Sequence, residues 1–240
     1  MTEHPLRVMP REMRMMSERI LSLTSLPKGF AMTVGDVVMY SEAMGFGGFA
    51  QLLAAFDTIK SADPTQLTLT QTDAGGLHLD GGGEHAWFVV PSLLDLLGEG
   101  LATAETTCIE VGNLRHPQEL GIAIGLGRRA GLDLEIEGPR VTARRGPVAD
   151  PVLSRVMAEG CPIAADLWWQ VWALAQTALT PDSVVSRRHA GVNIVTEDGQ
   201  VIGRTDNDDD TDTSFIAGSD VPDRSADTAQ SLKTTKELSQ

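Results

Sequence analysis

The chain has 240 residues, 42% of them hydrophobic, which is enough for one sizeable core and too apolar for a disordered chain. A formal net charge of −14 excludes the clustered Lys and Arg that non-specific binding to nucleic acid or anionic membrane requires, so neither is expected as a partner. With only Cys108 and Cys161 there is no disulfide framework, both thiols read as small buried hydrophobes, and no run approaches a membrane span; the expected setting is cytoplasmic.

Residues 10–23 read as an amphipathic helix, and Leu26-Pro27-Lys28-Gly29 as a break. Thr33 is expected to cap a second helix with Asp36 in its first turn, burying Val34, Val37, Val38 and Met44, and ending at Gly45-Phe46-Gly47-Gly48. A third helix follows with Phe49, Leu52, Leu53, Phe56 and Ile59 as its stripe, bounded by Asp63-Pro64. Leu67–Thr70 and Leu77–Asp80 read as strands around a turn, and Gly81-Gly82-Gly83 as a flexible connection.

Pro91–Leu101 is a leucine-rich helix and Thr106–Val111 a strand. A tight loop, Gly112–His116, leads to Pro117 at a favoured first helical position, and that helix stops at Gly131. Leu132–Ile136 is again a strand, so 106–136 reads β-loop-α-β, the unit of a sheet covered by helices. Arg140–Ala143 adds a strand, Asp150-Pro151 opens a short helix closed by Gly160, and Pro162 opens a longer one through Leu179. Its Leu167, Trp168, Val171, Trp172, Leu174 and Ala175 cover more than half the circumference, which predicts a central or interface position and a homodimer. Val192–Val195 and Val201-Ile202 read as a hairpin around Asp198-Gly199.

The expected fold class is therefore α/β, with α+β as the alternative: a mixed sheet with helices packed on it and a long apolar C-terminal helix. The expected organisation is a single compact domain over 8–205, followed by an acidic tail over 206–240. Nine acidic residues against three basic ones in that tail predict disorder.

The best site candidate is Val111-Gly112-Asn113-Leu114-Arg115-His116-Pro117, which joins a strand end to a helix start. Free helix N–H donors and the positive end of the helix dipole suit an anion there. Asn113 and Arg115 are the candidate binding residues for a carboxylate, with Arg187 as a third, and His116 is the candidate catalytic group; the plain alternative is a capped helix with solvated side chains. Gly121, Gly125 and Gly127 lack the G-x-G-x-x-G spacing and read as close helix packing. His78, Asp80, Glu84 and His85 match no metal site and read as an ordinary turn, so no metal is assigned.

These residues also carry a resemblance. Leu79-Asp80-Gly81, Val111-x-Asn113-x-x-His116, Gly121 and Ala130-Gly131-Leu132 fall in register with the N-terminal half of the malate/L-lactate dehydrogenase type-2 family, over about 15–136. The resemblance implies an oxidoreductase-like ancestry with His116 in the site. Two departures accompany it. The family's D-S-H-G segment is replaced by Phe46-Gly47-Gly48-Phe49, and its dinucleotide-contacting G-T-N-P segment has no counterpart after Ile136. NAD(P) is thus not expected as a cofactor, and which cofactor the chain uses, if any, is open. The stretch from Leu174 through Ser183, Ser186 and Arg187 to Asp208, within 137–205 and the start of the tail, faintly resembles an uncharacterised bacterial family.

Three functions fit this sequence. The first is a diverged relative without hydride transfer that binds a small carboxylate-bearing molecule or serves as partner subunit of a metabolic enzyme. The second is an active isomerase, lyase or NAD(P)-dependent oxidoreductase with His116 as acid/base, and the third is a homodimeric interaction protein. Calorimetric titration with NADH and NADPH discriminates among them: no micromolar binding is expected, and a micromolar isotherm would restore the dehydrogenase reading.

Overall fold

The computed structural model describes residues 5–72, 75–179, 194–195 and 201–202. The chain divides into two units, Met1–Thr180 and Pro181–Gln240. In the second unit the described residues are two short strands, β8 (Ile194–Val195) and β9 (Val201–Ile202), paired antiparallel as the hairpin pattern predicts. The expected tail, 206–240, lies outside the described residues, as does Arg187.

The first unit is α/β, with helices packed on a mixed sheet. It opens with β1 (Leu6–Val8) and α1 (Pro10–Leu21). Next comes α2 (Lys28–Ala43), which begins five residues before the expected Thr33 cap. Pro27 stands at its N-cap, so the supposed break is the helix start. Thr33 spends its hydroxyl inside the helix on the Gly29 carbonyl at 3.3 Å. Asp36 is not a first-turn residue; it pairs with Arg14 and Arg129. Gly45 and Gly47 then take left-handed conformations (φ 85° and 79°) and turn the chain into α3 (Gly48–Ala54). The third predicted helix is broken at Ala55, with α4 (Phe56–Lys60) beyond it, yet Phe49, Leu52 and Ile59 of its stripe are fully buried.

A 3-10 turn at Pro64–Gln66 precedes the hairpin β2 (Thr68–Gln71) and β3 (Leu77–Asp80). Helix α5 (Ala86–Gly100) starts earlier than predicted and tolerates Pro91 inside it, in the second turn. Strand β4 (Thr106–Gly112) leads through a 3-10 turn (Pro117–Gly121) to α6 (Ile122–Arg129), and β5 (Leu132–Glu137) and β6 (Arg140–Arg145) complete the sheet. After α7 (Pro151–Glu159), the residues expected to open the long helix form β7 (Cys161–Ile163) instead. Pro162 is accommodated because β7 pairs only with the short β1, on which Arg7 faces Pro162. Helix α8 is confined to Ala165–Gln176.

The five-stranded sheet has the order β2-β3-β4-β6-β5. Pairing is parallel between β3 and β4 and antiparallel elsewhere. The β-loop-α-β unit is therefore split, because β6 inserts between β4 and β5. Helices pack on the sheet as expected, and among the described residues they cover one of its faces. Ile109, Val111, Leu132, Leu134, Val141 and Ala143 point to α5 and α6, while Cys108, Glu110, Asp133, Glu135, Arg140 and Arg144 face out. Cys108 is accordingly exposed, against its expected burial, whereas Cys161 is buried. A second apolar core lies among α1, α2, α3, α7 and α8. Helix α8 contributes Trp168, Val171 and Ala175 to it, and its Trp169 and Trp172 remain 58% and 43% exposed. The helix is thus buried on one face rather than on most sides.

The two cores meet at a polar knot. Glu119, in the turn after β4, is completely buried. Its carboxylate accepts from the Ser41 hydroxyl of α2 (2.7 Å), the Trp87 indole of α5 (2.9 Å) and the Gln51 amide of α3. Replacing Glu119 by Ala strands two fully buried donors, the Ser41 hydroxyl and the Trp87 indole, and leaves the half-buried Gln51 amide with only the Phe46 carbonyl. Urea unfolding followed by circular dichroism should show a loss of about 3 kcal/mol or more; a loss below about 1 kcal/mol would mean that water takes over the acceptor role.

Candidate functional site

Parallel pairing of β3 with β4 brings two loops out of the sheet side by side. The last register pair is Asp80 with Gly112. Beyond it the backbones stay zipped. Gly81 N–H donates to the Gly112 carbonyl (2.8 Å) and Gly83 N–H to that of Asn113 (2.7 Å). Arg115 N–H donates to Glu84 (2.8 Å), and Ala86 N–H donates back to Arg115 (3.0 Å). The triple glycine is therefore a fixed turn, not a flexible connection. Gly81 is needed for the close approach, since a Cβ there would sit 2.9 Å from the Asn113 carbonyl oxygen.

Side chains reinforce the zipper. The Asp80 carboxylate accepts from Gly82 N–H and from the Asn113 amide, both at 2.7 Å. These two bonds, in that order, hold the Asp80 carboxyl below the usual carboxylate range. Arg115 donates through Nε to the Gly83 carbonyl at 2.7 Å. Asn113 and His116 both sit in the left-handed region (φ 50° and 55°). Asn tolerates that conformation, whereas for His it costs on the order of 1 kcal/mol. Asn113, Arg115 and His116 are all exposed. Pro117 begins a 3-10 turn rather than a regular α-helix, so the row of N–H donors expected at an α-helical start is not presented in that form.

His116 does not stand alone. Its ring stacks on that of His85, with centroids 4.7 Å apart and planes 27° apart. His85 is only 3% exposed and lies at the N-cap of α5, where its Nδ1 accepts from the Trp87 N–H at 3.2 Å. Its own pKa is pushed down to about 3, chiefly by burial, then by His116 and Arg115. The ring is therefore neutral. With Nδ1 accepting, the proton resides on Nε2, and Nε2 is buried without a hydrogen-bond partner among the described residues. The site thus holds an orphaned N–H donor directly behind an exposed imidazole.

His85 is the residue that sequence reasoning passed over as part of an ordinary turn. Its signal was its place between the Asp80-Gly81 turn and the apolar run Ala86–Val90, where a side chain must cap the helix. His78 and Glu84 go elsewhere. His78 leans over Gly112, and Glu84 accepts from the Asp63 N–H at 3.1 Å. Among the described residues no three of His, Cys, Asp and Glu converge as a metal site. None of their helices is long and apolar enough to cross a membrane.

No protein-family model matches the chain, and no curated protein matches it. Among solved structures there is a distant likeness to dehydrogenases. Sulfolactate dehydrogenase from Methanocaldococcus jannaschii is 14% identical with a TM-score of 0.42, over 53% of this chain and 38% of that one. Malate dehydrogenase from Entamoeba histolytica is 14% identical with a TM-score of 0.43, over 53% and 37%. Malate dehydrogenase from Pyrococcus horikoshii is 13% identical with a TM-score of 0.44, over 73% and 67%. The chain spans well under half the length of the first two of these enzymes.

The depressed pKa of His85 has a stability consequence with a definite sign. The unfolded chain takes up a proton near the ordinary histidine pKa of about 6.5, and the folded ring does not until about 3. Stability from this group is complete above pH ~6.5 and is lost as pH falls toward 3, at about 1.4 kcal/mol per unit. Urea midpoints should therefore drop more steeply between pH 6.5 and 5 in the wild type than in His85→Asn. Parallel profiles for the two proteins would contradict a neutral buried His85.

Proposed function

We propose that the loop 112–117 and the turn 80–85 together bind a small carboxylate-bearing molecule. In this reading His116 meets the carboxylate and Arg115 supplies the compensating charge. One observation carries the reading: an exposed His116 ring stacked on a buried neutral His85 whose Nε2–H lacks an acceptor among the described residues. The neutral His85 platform behind His116 adds no charge that competes with an anion there. Arg115 keeps Nε on Gly83, which fixes its side chain at the loop and leaves the outer guanidinium nitrogens as donors. Asn113 gives one amide N–H to Asp80, which holds the loop's shape, and keeps its second N–H as a donor for the ligand.

The chain is, in this reading, a diverged relative of the type-2 dehydrogenases that no longer transfers hydride. The register of Asn113, His116 and Ala130-Gly131-Leu132 supports the ancestry, and the missing D-S-H-G segment supports the loss. Self-association belongs to the same reading. Trp169 and Trp172 form an exposed edge-to-face pair (centroids 6.3 Å) on the outer side of α8, an apolar area that a second copy of the chain would cover.

Calorimetry with L-lactate and pyruvate tests the site. Saturable binding is expected, weakened about tenfold or more in His116→Ala, with the melting temperature of the exposed-site variant nearly unchanged. Absence of saturable binding to either acid, or equal binding by the variant, would reject the assignment. Sedimentation of wild type and Trp169→Ser/Trp172→Ser tests the second element: the wild type should dimerise and the variant should not, and a strictly monomeric wild type would reject it.

A further inference from the structure

A cleft of about 400 Å³ opens between β1, the C-terminal end of α2, α7 and β7. Its charged lining is Arg7, Glu42, Arg155 and Glu159, with Cys161 beside them. Arg155 and Glu159 have the spacing of a helical ion pair, yet they do not form one. Arg155 instead reaches across the cleft and donates to the Ala43 carbonyl. Arg7 has no carboxylate partner among the described residues either.

The walls are shaped for this arrangement. Gly160 has φ 69°, and a Cβ there would lie 3.0 Å from Arg7 Cβ, so only glycine lets β1 lie across the end of α7. Behind the Glu42 side, a Cβ on Gly48 would lie 2.4 Å from the Val38 carbonyl oxygen, so α3 packs tightly on α2. That close approach puts the Phe49 N–H on the Glu42 carboxylate at 2.9 Å. Arg7, Glu42 and Arg155 all act electrostatically on one thiol. Burial pushes Cys161 up to about 11, Glu42 raises it further, and Arg155 and Arg7 oppose.

Two guanidinium groups without carboxylate partners among the described residues line this one cleft, and guanidinium forks suit carboxylate and phosphoryl oxygens. We propose that this cleft is a binding site, separate from the His116 loop, for a small dianionic oxyanion, a dicarboxylate or a phosphoryl group, held by Arg7 and Arg155. Glu42 already accepts the Phe49 N–H, and burial raises its carboxyl above the usual carboxylate range, only partly offset by that N–H. Glu159 is exposed, as Arg7 and Arg155 are, so solvent screens all three alike. This site does not depend on the function proposed for the loop.

Amide NMR of the full chain, titrated with malonate and separately with inorganic phosphate, tests it. Saturable shifts are expected at Arg7, Ala43, Gly45, Gly160 and Cys161, and the tighter of the two probes identifies carboxylate or phosphoryl as the preferred group. Neutral malonamide should give none. Arg7→Gln, on an exposed strand position, should weaken binding about tenfold, and Arg7→Gln/Arg155→Gln should abolish it, while His116→Ala should leave it intact. Shifts that fail to saturate with either anion, that persist in Arg7→Gln at wild-type affinity, or that disappear in His116→Ala would overturn the proposal. The last outcome would assign all anion binding to the loop.

Discussion

A fully buried carboxylate cannot be left without donors, and Glu119 finds its three on three different helices. That requirement ties α2, α3 and α5 to the turn that follows β4. It also fixes the segment that presents His116, three residues before Glu119. Gly121 adds to the constraint, because a Cβ there would lie 2.6 Å from the Phe46 ring. The loop between Gly45 and Gly48 thereby packs directly against the turn leaving the candidate site. Here the chain carries an aromatic wedge and a glycine pivot.

The geometry of the site follows from one topological choice. Because β3 and β4 are parallel neighbours, their C-terminal ends emerge together, and the segments that leave them must share backbone hydrogen bonds or leave them unmade. The zipper from Gly81 to Ala86 against Gly112 to Arg115 meets that demand. It also forces His85 and His116 into contact. A histidine at a helix N-cap and a histidine in a left-handed loop position are each unremarkable choices; placed face to face, they make one neutral buried ring and one exposed ring. The chemical asymmetry of the pair is thus a product of strand pairing.

Much of this was legible in the sequence, and the limits are physical. The strands β3, β4, β5 and β6 and the loop 112–117 could be read because alternation and turn residues are local signals. The one-sided covering of the sheet is also written in that alternation, in Ile109 and Val111 against Cys108 and Glu110. Insertion of β6 between β4 and β5 is a long-range pairing with no local trace. The early start of α2 was hidden by Pro27 and Gly29, which punctuate chains in both senses, as break and as first turn. Likewise Cys161-Pro162-Ile163 becomes a strand only because β1, some 150 residues earlier, offers it a partner. His85 escaped notice because its importance lies in its neighbour 31 residues on, which spacing cannot reveal.

Nitrogen-15 spectra of the imidazole rings test the central claim most directly. The account predicts that His85 remains a neutral ring protonated at Nε2 from pH 7 down to pH 5, while the His116 ring resonances move saturably when L-lactate or pyruvate is added. A His85 ring that takes up a proton near pH 6.5, or a His116 ring indifferent to both acids, would contradict it.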